Sequence, residues 1–480
     1  MNKVFIAVLL ATALSAIEGT IVATAIPSIT ADLSGVELIS WIYSAYLLAA
    51  AIATILFGKL ADIFGRKRMI IIGLSIFILG SLLAGLAQSM IMLIIFRAIQ
   101  GFGAGSILPI TLTIVGEIFK TEKRRAKGQG YISMVWGVSG VVGPLIGGYL
   151  VDSLSWHYIF LLNVPFGLGS LFLLLKYYKE NHQQTKHTID YRGAVLFSIS
   201  TVAFLLAIIE GSNSGEWFAT LNLICYVITI VGLMLFIRTE MIAKEPIIPL
   251  TLFKNRRLNI VNALTFMFMS ITIAVTVYIP IYGQSVLGHS ATKAGLLITP
   301  LSFMWTVSAI IVGNLVGRIA NKIIIQCGTL FLVIGTVMLT FLQVDSTSLY
   351  VCLSTGILGM GMGLIAPLII ITVQASAKPN EIGISIGLNS FTNTFSQAVG
   401  AAIFGVLFNI MTSQQMKDLD KGEIQLTGSF DESIFSQVEI SKLVTIISEG
   451  TSVVYIGAAV FAVIAFILAA MLQRKNQKTV

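Results

Sequence analysis

This sequence has little charge. Asp, Glu, Lys and Arg make up 11% of its 480 residues, against about 25% in a soluble domain. Hydrophobic residues make up 56%, and the mean hydropathy is +0.92. That imbalance excludes an ordinary soluble globular chain and points to the membrane. Cysteine is nearly absent: Cys225, Cys327 and Cys352 lie singly in apolar segments. A disulfide framework and a zinc site are therefore not expected, and the three read as small buried hydrophobes. The four histidines (His157, His182, His187, His289) fall at segment ends or in polar loops without metal-ligand spacing. The sequence also lacks a nucleotide-binding glycine loop, an HExxH, a nucleophile motif and a soluble signalling domain. An enzyme, an ATP-driven pump and a receptor are disfavoured accordingly, and no cofactor is expected. The formal charge of +8 does not signal nucleic-acid binding, because the basic residues are scattered and form no aromatic-interleaved patch.

What the chain has in abundance is long apolar runs. A helical crossing needs about 20 apolar residues. Fourteen segments reach that length, at about 4–27, 41–61, 69–88, 90–116, 128–151, 157–178, 192–210, 219–238, 257–283, 293–316, 323–343, 347–373, 384–410 and 452–472. The opening residues Met1 to Ala16 mimic a secretory signal, but the apolar run continues through Ile26. Val4 to Pro27 spans about 36 Å as a helix and reads as a retained first crossing. An even number of crossings puts both termini on one side. With that side inside, 25 of the 30 Lys and Arg fall in inner segments, and four in outer ones (Lys293, Lys417, Lys421, Lys442). Arg97 is left within a span. This bias places both termini in the cytoplasm. The longest loop, about 411–451, then lies outside. It carries Asp418, Asp420, Glu423, Asp431, Glu432, Glu439 and Glu449 against three lysines and reads as a solvated loop without a site.

"GKLADIFGRKR" (58–68) has a faint second copy in "GNLVGRIANKI" (313–323). Gly58 matches Gly313, Leu60 matches Leu315 and Lys67 matches Lys322, while Gly317 replaces Asp62. Parallel six-helix halves are the expected source of such a repeat. The predicted organisation is an N-terminal bundle (1–180), two inserted spans with linkers (181–250) and a C-terminal bundle (251–480). Within the first copy, Gly58 and Gly65 permit tight packing and a sharp turn, and Asp62 is spaced to pair with Arg66 across one helical turn. A positive-inside anchor accounts for Arg66 and Lys67 but leaves Asp62 and the glycine spacing unexplained. The stretch resembles motif A of the major facilitator superfamily, Gly-x-Leu-Ala-Asp-x-x-Gly-Arg-Lys. That resemblance implies a latch at the inner helix ends in the outward-facing state.

Three more stretches carry the same resemblance. "FRAIQGFGAG" (96–105) puts Arg97, Gln100, Gly101 and Ala104 at helical spacing. A guanidinium in a span stays charged and needs carboxylate or carbonyl partners or a wet cavity. Snorkelling to the outer headgroups is the alternative, weakened by the two turns from Ser89 to Phe96. The stretch is similar to motif B, whose arginine is tied to proton coupling. "WGVSGVVGPLIGG" (136–148) carries Gly143, Pro144, Gly147 and Gly148. Close helix packing explains the glycines alone, whereas the match to the antiporter motif C, Gly-Pro-x-x-Gly-Gly, implies an exporter. "IEGTIVATAIP" (17–27) resembles the Leu-Asp-x-Thr-Ile-Val…Ala-Leu-Pro motif of the fourteen-span drug:proton antiporter branch, with Glu18 in place of aspartate. "WHYIFLLNVPFG" (156–167) is similar to that branch's Trp-x-Trp-x-Phe-x-x-Asn-x-Pro signature, with Tyr158 at the second aromatic.

A carboxylate inside the first span is costly without a task or a partner. Ala11, Ser15, Glu18, Val22 and Ala25 share one helical face of mainly small side chains. Glu18 is thus either half of a structural ion pair with Arg97 or a proton switch. The resemblance implies an all-α integral membrane protein of the major facilitator fold, with two six-helix bundles plus two inserted helices. It further implies a monomer in the bacterial plasma membrane that exchanges protons, its coupling ion, for lipophilic cationic or zwitterionic drugs. Export of one endogenous metabolite or lipid is the alternative. Gln100, Trp136, Asn262, Phe266, Asn389 and Asn393 are candidates for an adaptable cavity wall, with ordinary helix packing the stronger reading for the last five.

Overall fold

A computed structural model describes residues 3–33, 39–119, 121–180, 190–214, 216–243, 246, 248–289, 291–378, 381–417 and 437–472. Apolar surroundings offer a backbone no hydrogen-bond partner but itself, so long apolar runs become helices. The first half holds α1 (Lys3–Leu33), α2 (Ile39–Phe64), α3 (Arg66–Ala84), α4 (Met90–Ile118), α5 (Glu122–Ser153), α6 (His157–Leu161) and α7 (Asn163–Tyr177). Next come α8 (Tyr191–Ser214), α9 (Thr220–Ile242) and a 3₁₀ turn at Leu250–Lys254. The rest holds α10 (Arg256–Ser285), α11 (Ala291–Leu296), α12 (Thr299–Leu315), α13 (Asn321–Thr340), α14 (Ser348–Ser376), α15 (Ile382–Lys417) and α16 (Gln437–Met471). Among the described residues, fourteen segments are long and apolar enough to cross a membrane. α6 and α7 together form one of them, His157–Tyr177. Local signals set some helix starts: Ser89 Oγ accepts from Met92 N ahead of α4, and Thr121 Oγ1 accepts from Arg124 N ahead of α5.

Contacts group the chain into two units, Met1–Asn259 with Ile370–Thr394, and Ile260–Ile369 with Phe395–Val480. In the first unit α4 packs on both α2 and α3, while α1 packs on α5 and α7. Small residues set the α2–α4 spacing: Gly101 lies against the backbone of Tyr46 and Gly105 against that of Ala50. The inserted helices α8 and α9 pack on each other through Phe197 and Phe236, with ring centroids 5.4 Å apart, and belong to this unit. Phe197 also meets Phe391 of α15 at 5.3 Å. In the second unit α13 packs on α16, and Lys322 Nζ donates to Ala470 O at 2.7 Å. Phe404 and Phe461 pack there at 5.6 Å. Large apolar side chains such as Ile91, Leu145, Phe172 and Met234 stay exposed, as suits surfaces that meet lipid rather than water.

One expectation needs correction. The loop placed at 411–451 is helical at both ends, because α15 continues to Lys417 and α16 begins at Gln437. Leu443, Ile446 and Ile447 lie within α16 and are buried, so residues 437–451 are helix rather than loop. Asp418, Asp420, Glu423, Asp431 and Glu432 lie outside the described residues, as do His182 and His187.

Candidate functional site

Glu18 sits on α1 with its side chain fully enclosed, at 0% exposure. Its two oxygens face two helices. Oε1 accepts from Arg97 Nη1 of α4, and Oε2 accepts from Asn163 Nδ2 of α7 at 2.5 Å. Arg97 is 1% exposed, which rules out snorkelling to a headgroup. Its Nη1 also donates to Gln100 Oε1 at 2.6 Å, and its Nε donates to the Ile42 carbonyl at 3.2 Å. Gln100, a candidate for a cavity wall, is buried here, and its Nε2 donates to Ser81 Oγ of α3 at 2.6 Å. The rings of Tyr46 and Phe160 lie 4.3 and 5.6 Å from the guanidinium carbon, so aromatic faces cover the cation where no acceptor does. Beyond this cluster lies an apolar plug of Ile21, Val22, Ala25, Ile42, Trp156 and Phe160. Trp156 Nε1 donates to Asp32 Oδ2 at 3.0 Å at its far end.

A second polar cluster lies at the junction of α2 and α3. Asp62 accepts from the backbone N–H groups of Gly383 (3.0 Å) and Ile384 (2.9 Å), in the first turn of α15. A carboxylate at a helix N-terminus meets unpaired N–H groups and the positive end of the dipole. Gly58 makes this approach feasible: a Cβ there would stand 2.9 Å from Gly383 O and 3.1 Å from Gly387 Cα. Gly65 has φ +93°, and its Cβ would lie 2.7 Å from Glu180 Oε2. Glu180 in turn accepts from Arg66 N (2.7 Å) and Lys67 N (2.9 Å), so it caps α3. The Arg66 guanidinium spans Asp62 (3.3 Å), Glu117 (3.3 Å) and Glu180 (3.8 Å), and Lys67 Nζ reaches Leu175 O at 3.0 Å. Tyr178 donates to Glu117 Oε2 at 2.8 Å. Burial, followed by the Glu117 carboxylate, pushes the Tyr178 hydroxyl far above the ordinary tyrosine range, so it remains a donor.

A model of the Major Facilitator Superfamily matches residues 8–401. The chain belongs to that superfamily. Among its relatives, the "Multidrug transporter protein MdtP" of Bacillus subtilis (strain 168) is 35% identical over 84% of this chain and 74% of that protein. "Multidrug resistance protein 3" of the same organism is 34% identical over 89% and 83%. Among solved structures, the human organic anion transporter MFSD10 superposes with a TM-score of 0.67 at 13% identity, covering 97% of this chain and 99% of that one. The proton:xylose symporter XylE gives 0.64 at 13%, covering 97% and 94%. At that identity these two establish the fold alone. This major facilitator protein is therefore a multi-pass membrane transporter of small molecules, not an enzyme.

In this major facilitator chain the third predicted stretch lies on α5, which runs unbroken past Gly143, Pro144, Gly147 and Gly148. A Cβ on Gly143 would collide with Thr20 Oγ1, and the Thr20 hydroxyl lies 3.2 Å from the Ser139 carbonyl, so α1 and α5 meet closely here. Gly148 has open space around it. The remaining cavity candidates are dispersed. Trp136 is 41% exposed on α5, Asn389 is buried and Asn393 half-buried on α15, all in the first unit. Asn262 and Phe266 are half-buried in the second unit, with Phe266 packed 6.4 Å from the Phe461 ring. Sequence reasoning quoted Asn163 only as a motif letter and missed Ser81, Tyr46 and Glu180 as partners. An asparagine in an apolar stretch was the available signal for the first; Glu180, 114 residues from Arg66, had none.

Proposed function

We propose that this transporter is a proton-coupled antiporter that exports lipophilic, mainly cationic or zwitterionic drugs, working as a monomer in the bacterial plasma membrane with both termini cytoplasmic. The observation that carries the reading is an ionisable carboxylate enclosed in the first span, each oxygen tied to a different helix. Both contacts are donors to the ionised carboxylate, and separating the helices takes those donors away. A rocking motion that separates α1 from α4 and α7 thus converts position into protonation. Facing outward, Glu18 takes a proton and the drug leaves; facing inward, the carboxylate attracts the drug's cationic centre. Each entering proton supplies ~2.3 kcal/mol per 100 mV of potential and ~1.4 kcal/mol per pH unit. Motif A, with Asp62 seated on the α15 N-terminus, serves as the latch for one of the two states. The multidrug names of the Bacillus relatives support the cargo class, and the positive-inside bias supports the orientation.

The test is ethidium transport in inverted membrane vesicles, with and without a protonophore, in wild type and Glu18→Gln. Wild-type uptake should collapse with the protonophore, and the glutamine variant should fail to accumulate ethidium. Uphill transport unaffected by both changes would remove the coupling.

A further inference from the structure

Glu18 sits in a pocket built for only one of its two protonation states. Oε1 faces a guanidinium, which has donors and no acceptor, and Oε2 faces the Asn163 amide nitrogen. The ionised carboxylate is satisfied on both sides. A protonated Glu18 would present an O–H where both contacts now made to it are donors. Gln100 Oε1, an acceptor held by the cluster, is already engaged by Arg97 at 2.6 Å. Asn163 differs from Arg97, the other partner of Glu18, because its amide carries a donor and an acceptor on one planar group. A half-turn about its terminal torsion exchanges them with little change of shape.

We propose that Asn163 is the positioning residue that allows Glu18 to titrate inside the closed cluster, donating through Nδ2 to the carboxylate and accepting through Oδ1 from the carboxyl O–H. The inference rests on the proton-coupling reading of Glu18 and adds to it the group that accommodates the proton. Asn163 is suited to the task by place. It is 2% exposed, begins α7 and lies two residues before Pro165, whose missing N–H leaves this turn of the span without one backbone bond. The charged and titratable groups facing Glu18 are Arg97 from α4 and the phenols of Tyr43 and Tyr46 from α2. Ser81 of α3 and Ser139 of α5 bring only neutral groups. Asp32 and His157 stand beyond Trp156 and Phe160.

Two measurements on the purified full-length protein test this. Infrared difference spectra between acid and alkaline pH should show a hydrogen-bonded carboxyl C=O band that disappears in Glu18→Gln. In Asn163→Leu that band should shift to higher wavenumber, because the carboxyl O–H loses its acceptor while Oε1 keeps Arg97. Ethidium binding as a function of pH is the second readout. The near-isosteric Asn163→Asp places a second carboxyl beside Glu18 and should raise the pH midpoint by about one unit or more. It carries the test alone if the leucine variant does not accumulate. A Glu18 band unmoved in Asn163→Leu, or a midpoint unchanged in Asn163→Asp, overturns the role of Asn163 and leaves the coupling reading standing. Absence of any Glu18 band across the pH range of ethidium binding overturns the coupling reading itself.

Discussion

Asp62→Asn is the sharpest probe of the latch, because its effect is local and its size can be worked out. Asp62 accepts two backbone hydrogen bonds, at 3.0 and 2.9 Å from Gly383 and Ile384, and its side chain is 5% exposed. Hydrogen bonds to a charged acceptor contribute about 1.5–3 kcal/mol each, and neutral ones about 0.5–1.5 kcal/mol. Asparagine keeps one acceptor oxygen and turns an N–H toward the second backbone N–H. The expected loss is about 3 kcal/mol, or about a hundredfold in the equilibrium between latched and released. Hydrogen exchange followed by mass spectrometry on peptides covering 381–388 reads this directly. The amides of Gly383 and Ile384 should exchange about a hundredfold faster in Asp62→Asn. Glu180→Gln should instead accelerate Arg66 and Lys67, whose amides Glu180 holds. Unchanged protection at 383 and 384 would show that the α15 N-terminus is held by packing alone, and the latch argument would fail.

Gly58→Ala should lower thermal stability by about 1–3 kcal/mol and loosen the same amides, since its methyl meets backbone atoms of Gly383 and Gly387 that have little room to yield. Gly65→Ala should cost about 1–2 kcal/mol in a denaturation assay from its φ of +93° alone. Arg97→Lys should reduce ethidium efflux at least tenfold, because an ammonium cannot reach Glu18, Gln100 and the Ile42 carbonyl together. Tyr178 has its proton affinity raised by folding, so its contribution to stability is intact below pH 10 and declines as pH rises above that. Thermal melts of Tyr178→Phe should therefore show an alkaline slope above pH 10 shallower by about one proton.

Much of this protein was legible in its residues. Helix count and helix type follow from apolar length, because a membrane admits few other solutions for a backbone. Motif A could be recognised, and the suspicion that Glu18 and Arg97 belong together followed from the cost of leaving either charge unpaired. The loop at 411–451 was drawn too long because Glu439 and Glu449 were weighed by charge, whereas both lie within α16. The partners of Gln100, Arg97 and Ser81, were not legible, because helical spacing shows which face a residue shares but not what stands opposite.

By itself the sequence determined the environment, the number of crossings, the family and the identity of the costly buried charges; these depend on composition and local periodicity. Only the tertiary structure decided that Asn163 caps the second oxygen of Glu18, that Asp62 rests on amides 321 and 322 positions away, and that Glu180 holds the start of α3. Such partners are chosen by which helix ends come to lie side by side. That choice is made by packing summed over the whole unit, and no single stretch of chain records it.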